Sequence, residues 1–402
     1  PVVTDSDAPA NLRGLYLDPV NAMIAMPVNV TGNIVAWASE NIMVLAPLTT
    51  TGNGSGIWLR ADDAGTNAGL LGAADGADGS GRLSMMPGAM LRAQNGDIDL
   101  SGEDVLVQGA STLGALNIEV DVVNDGIGVP GLSGSYGILE GMNVTVDVNQ
   151  SDFTFFADPQ NIFGSVTVTG DADNGSLNLA SDFSASASGG TGILVQVPTF
   201  LQADSVVSAD LAGFDGSVTF EQEINSTAAA GVGPYSLLID NSAAPVSVQE
   251  IGTTTPLDAL AIDGLSVALG GDLAAVNDIA VTTHAGNDIA LVNMASDSGG
   301  ISLNAAGAIT NAAAALLTAQ AGMVSLEADT GISANTDAAM LEAVTLDGAI
   351  GLVEADDVLI SGRGLLNGGA DAGDGISLAT INGTIDADGV STFTNGGPIV
   401  LT

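Results

Sequence analysis

Four short stretches bring carboxylates close enough together to hold a hard cation: Asp75-Gly76-Ala77-Asp78, Asp171-Ala172-Asp173-Asn174, Asp371-Ala372-Gly373-Asp374 and Asp386-Ala387-Asp388. Carboxylates and bare backbone carbonyls at loop spacing suit calcium, so Asp75, Asp78, Asp171, Asp173, Asp371, Asp374, Asp386 and Asp388 are the candidate metal ligands. None of the four completes a twelve-residue EF loop or the Gly-Gly-x-Gly-x-Asp nonapeptide of calcium-binding β-rolls. Solvated turn acids are therefore the competing reading.

Other chemistry has little to work with. His284 is the only histidine and the chain has no cysteine, so a familiar zinc site, a Ser-His-Asp triad and a Cys nucleophile all lack parts. An inverting glycosidase needs only two carboxylates some 6.5 to 9.5 Å apart, and 47 acidic residues will supply such a pair by chance. The adjacent pairs Asp62-Asp63 and Asp356-Asp357 are expected to point to opposite faces of a strand, and no catalytic residue is assigned. Trp37, Trp58, Tyr16, Tyr136 and Tyr235 are scattered rings, expected to pack rather than to form a sugar-stacking platform.

Charge narrows the partners. Forty-seven acids against five arginines give a formal net charge of −42, with no lysine. No basic patch exists to meet phosphates, which excludes nucleic acid. At 46% hydrophobic residues the chain has the apolar surface to fold in spite of that charge. The uncharged runs over 20–39 and 304–326 carry too many Asn, Gly and Pro residues to span a membrane.

The elements that would position these residues come from a repeat. A turn residue followed by alternating aliphatics recurs at Ile279, Ile301, Val324, Ile350, Ile376 and Ile399, in steps of about 22 to 26 residues. A second strand follows at Ile309, Ile332, Val358 and Ile385, and a third at Leu317, Leu341, Leu366 and Phe393. The beat runs back through Leu260, Leu238, Val218, Ile193, Val166, Val144, Ile118, Ile98, Ile57 and Ile34, with one long step before Ile98 that would hold two coils. The fold class is all-β: a parallel β-solenoid of about 22–26 residues and three short strands per coil. The segment 311–321 has strong helix propensity, but Leu317 falls where neighbouring coils place their third strand, and the strand is preferred. Stacked small aliphatics should leave little room in the core for aromatics. Residues 1–33 are expected to be a cap, a linker or an irregular first coil, and 34–402 a continuous solenoid with a protruding Gly/Asp-rich loop near 62–82.

Two segments resemble repeats of giant secreted bacterial exoproteins: Gly216-Ser217-Val218-Thr219-Phe220, and Val248 onward through Thr253-Thr254-Thr255-Pro256-Leu257. The stretch from Gly300 to Ile332 is similar to filamentous-haemagglutinin-type repeats. The resemblance implies a right-handed parallel β-helix, exported as an adhesin or surface fibre of a bacterium.

The expected function is that of a non-enzymatic extracellular rod segment, cut from something longer, that meets neighbouring repeats or copies of itself end to end. The strand Ile399, Val400 and Leu401 would be its self-assembly edge. Surface glycans or cell receptors are the expected external partners. The alternatives are a calcium-dependent surface-layer coat and, much less favoured, a carbohydrate-active β-helix.

Overall fold

The computed structural model describes residues 14–17, 21–38, 40–61, 81–94, 96–102, 104–107, 112–122, 133–135, 138–148, 152–155, 160–162, 164–170, 175–185, 190–209, 216–227, 234–312, 314–371, 373–387 and 392–402. The protein is all-β: among these residues there is no helix, and parallel strands stack into a β-solenoid. The chain forms two compact units, residues 1–200 with 211–216, and residues 201–210 with 217–402.

In the first unit, Ile34, Ile57, Ile98, Ile118, Val144, Val166 and Ile193 are successive register partners and form one inward column. Each is at most 1% exposed. The column arises because parallel hydrogen bonding sets every residue directly over its equivalent, one strand spacing of about 4.8 Å away. Three strands N-terminal to Ile34 obey the same register. Leu15–Leu17, Ala22–Ile24 and Val28–Val30 lie parallel to Ile34–Trp37, Ile42–Val44 and Leu48–Thr50. The long step resolves differently from expectation, since Ile57 pairs directly with Ile98. It is one coil carrying an insertion, and 62–80 within it lie outside the described residues.

The core also admits aromatics that the sequence reading had left little room for. Phe153, Phe155 and Phe183 are fully buried, with ring centroids 5.2 Å and 5.0 Å apart along the series. Edge-to-face and tilted ring pairs fill the space that two aliphatic layers would otherwise occupy.

In the second unit the strand prediction over the helical-looking segment holds, because Leu316–Ala328 is a strand with Leu317 fully buried. Register with the coils on either side overrides local helix propensity there. The periodic series, however, switches columns. Leu260, Ile279, Ile301 and Val324 are successive partners, but Val324 then pairs with Leu341, whereas Ile350 continues the column of Ile289, Ile309 and Ile332. Ile376 and Ile399 follow Ile350. The cause is a short corner: Ala319 and Met323 pair with Ala338 and Met340, so three residues of one coil face a single residue of the next. Leu238 is likewise one residue out of phase, 37% exposed, while Leu237 at 2% is the inward partner of Leu260.

A paired substitution tests this phase. Leu237→Ala should cost about 2 to 5 kcal/mol of unfolding free energy, as a buried leucine does, and Leu238→Ala about 0.5 kcal/mol or less. Guanidinium denaturation midpoints of the two variants measure the difference, and equal losses would contradict the assigned register.

Candidate functional site

Corners are where the polar side chains gather, and a shared geometry organises them. A corner Asp or Asn accepts a hydrogen bond from a backbone N–H one coil further on. Asp204 accepts from Ser236 at 2.8 Å, Asp278 from Gly300 at 2.8 Å, Asp288 from Ala308 at 2.7 Å and Asp357 from Thr384 at 2.7 Å. Asn21, Asn33, Asn41 and Asn293 do the same for Asn41, Gly56, Arg82 and Leu316. The N–H groups at a turn have left the strand ladder and need an acceptor. A short Asx side chain stacked directly below reaches them.

A second device closes several corners from within. In the column Asn241, Gly264, Thr283, Ala305, Ala328, Thr345, Asn367, Thr394, every position holds a small residue or a hydrogen-bonding one. The Thr283 hydroxyl donates to the Asn287 carbonyl at 2.7 Å, Thr394 to Gly397 at 2.6 Å, and Thr345 to Asp347. Asn367, fully buried, donates to both Gly348 and Asp374 carbonyls. These staples were missed in the sequence, although a Thr at a strand end followed within a few residues by Asn or Gly was the available signal.

The candidate metal ligands fall into this pattern where they can be placed. Asp75, Asp78, Asp171, Asp173 and Asp388 lie outside the described residues. Asp371 and Asp374 share one turn, but the Asp374 carboxylate is nearly buried and accepts from the Asp371 N–H at 2.9 Å. Asp386 sits on the outer face of the strand Ile385–Asp386, paired with Leu359. Among the described residues no three His, Asp or Glu side chains gather as a ligand set. Asp356 and Asp357 occupy a corner rather than opposite faces of a strand. Ile399, Val400 and Leu401 pair in parallel with Ile376–Leu378 and are 41 to 45% exposed.

Three of the arginines, Arg60, Arg82 and Arg363, are engaged by carboxylates of other coils. Arg60 pairs with Asp99 at 3.0 Å, Arg82 with Asp104 at 2.8 Å, and Arg363 with Glu327 at 2.8 Å and Glu342 at 3.3 Å. His284 meets Asp263 at 2.5 Å on the outer surface. Trp37, Trp58 and Tyr235 are half-buried, and Tyr136 lies outside the described residues.

Two buried glutamates behave in opposite ways. Burial pushes the Glu342 carboxyl up, but the Ser325 hydroxyl at 2.6 Å and the Arg363 N–H and guanidinium outweigh it and hold the group below the usual glutamate value. Gly362 makes this possible: its φ is +58°, and a Cβ there would sit 2.0 Å from the carboxylate. Glu354 is fully buried in the column of Ile224, Ile251, Leu273, Met294, Leu317 and Thr336, where every earlier coil except that of Thr336 places an apolar side chain. Desolvation drives its carboxyl above the usual value despite bonds from Thr336 at 2.6 Å and from the Ala338 and Ala355 N–H groups at 3.1 Å.

No protein family, curated protein or solved structure matches the chain.

The opposite shifts give opposite pH profiles. Stability from Glu342 is present at neutral pH and is lost as pH falls through its lowered folded value, so Glu342→Gln should lower Tm at pH 7 and converge with wild type in acid. Burial of Glu354 favours the protonated form, so its contribution is present in acid and is lost as pH rises through its raised folded value. Glu354→Gln should therefore raise Tm at pH 7, and the gain should vanish toward pH 4. Calorimetric melts across that range check both signs.

Proposed function

We propose that this chain is a non-enzymatic structural segment of a secreted or surface-displayed bacterial filament, of the filamentous-haemagglutinin kind that its repeats resemble. The observation that carries the reading is how the polar side chains are used. Corner Asp and Asn and three arginines are turned onto neighbouring coils, and strand-end Thr hydroxyls close their own turns, so groups that could have formed a site are spent on the stack and its corners.

The charge fits the same role. At −42 on 402 residues, like charges recur from coil to coil, and their repulsion falls as ionic strength rises. A saline exterior supplies that screening. A cysteine-free chain stapled by hydrogen bonds needs no oxidative folding step, which suits passage through an export route before folding outside. The partners in this reading are neighbouring repeats of a larger chain or further copies, with surface glycans or receptors contacted through the outer faces.

Immunogold electron microscopy of intact producing cells tests the proposal. Label on surface filaments before permeabilisation is the expected result. Label that appears only after permeabilisation would overturn it.

A further inference from the structure

The outer faces of the strands mostly carry polar or small residues; exposed large apolar side chains occur at several places, and at one of them they are methionines. Met23 is 70% exposed and Met43 39% exposed, while their flanking residues Ala22, Ile24, Ile42 and Val44 are buried. Both methionines therefore stand outward, and they are direct register partners on adjacent parallel strands, Ala22–Ile24 and Ile42–Val44. Met26, 76% exposed, occupies the corner that follows the first of these strands.

Register fixes what this arrangement can do. Partner residues on neighbouring parallel strands are about 4.8 Å apart at the backbone, so their side chains leave the sheet side by side. The methionine side chain is unbranched and flexible, and its thioether is a soft donor. Soft thioethers select soft cations such as Cu(I) over calcium or magnesium. The competing soft ligands elsewhere in the chain are the thioethers of its seven other methionines, since it has no cysteine and its single histidine is bonded to Asp263. From residue 19 to residue 59 the only charged side chain is Glu40, so hard carboxylate donors are sparse in this stretch too.

We propose that Met23 and Met43, with Met26 at the adjoining corner, form a binding site for a soft monovalent cation of the Cu(I) or Ag(I) type. The site is independent of the structural role proposed above. It gives three exposed methionines a use that leucine or valine in the same positions could not serve.

The protein supplies its own control. Met323 and Met340 are also register partners, but they are half-buried and no exposed third methionine accompanies them. Silver nitrate, titrated into the full chain in chloride-free buffer, should bind at one equivalent by calorimetry. With methyl-labelled methionine, the Met23, Met26 and Met43 resonances should shift, and those of Met294, Met323 and Met340 should stay in place. The double variant Met23→Leu with Met43→Leu should lose about tenfold or more in affinity while keeping the apolar volume. Met323→Leu with Met340→Leu should bind as wild type does. If the first double variant fails to fold by circular dichroism, Met23→Leu alone, at the more exposed position, carries the comparison. Silver binding undiminished by these changes, methyl shifts spread evenly over all methionines, or no binding by wild type would each overturn the proposal.

Discussion

Coil-on-coil backbone hydrogen bonding is the constraint from which the rest of this structure follows. Parallel pairing at one fixed spacing places every residue above its counterpart in the previous coil. A side chain therefore meets its own kind of position repeatedly. An inward site becomes a column, and Ile34 through Ile193 show what such a column selects: β-branched aliphatics, each buried to within 1%. An outward acid likewise faces what stands at the same place one coil away, as Asp240 faces Asp263. The same rule that builds the core thus concentrates the charge.

Corners are where this rule leaves backbone groups over, and the sequence answers them with two kinds of short polar side chain. Asp and Asn outside the turn reach to the next coil, and Thr and Asn inside it reach across their own turn. A buried hydrogen bond of this sort adds only about 1 kcal/mol, but leaving its partner unsatisfied costs more, so such bonds act mainly by making alternative turns worse. Corner architecture accounts for some of the chain's acids, Asp204, Asp278, Asp288 and Asp357 among them. Glu354 shows the limit of the scheme: a carboxyl placed in an inward column is hydrogen-bonded at both oxygens and desolvation still holds it above the usual glutamate value.

The fold was legible because periodicity in a stacked structure is the structure. Ile34, Ile57, Ile98, Ile118, Val144, Val166 and Ile193 were found from spacing alone, and the register stacks them in one column, although the long step from Ile57 to Ile98 is one coil and not the two expected. Phase was less legible. All three columns of a coil hold aliphatics after a turn residue, so when the corner at Ala338 shortened, Ile350 looked like the successor of Val324 although it follows Ile332. Leu237-Leu238 offered two leucines for one inward place, and only pairing with Leu260 decides between them. Asp371 and Asp374 were read as cation ligands, whereas the Asp374 carboxylate accepts a bond from the Asp371 N–H in their own turn. The Arg363 cluster was invisible because Glu327 and Glu342 come from two different coils, and nothing local in the sequence announces that they meet.

Register at the shortened corner is the point at which the stacked arrangement is most exposed to test. The chain has no cysteine, so spin labels attach only where one is introduced. Nitroxides on Met323→Cys and Met340→Cys should show strong dipolar broadening by electron paramagnetic resonance, because those residues are direct partners on neighbouring strands. Labels on Met323→Cys and Ala349→Cys, which a uniform repeat would place together, should show little. The reverse pattern, broadening for 323 with 349 and none for 323 with 340, would contradict the account.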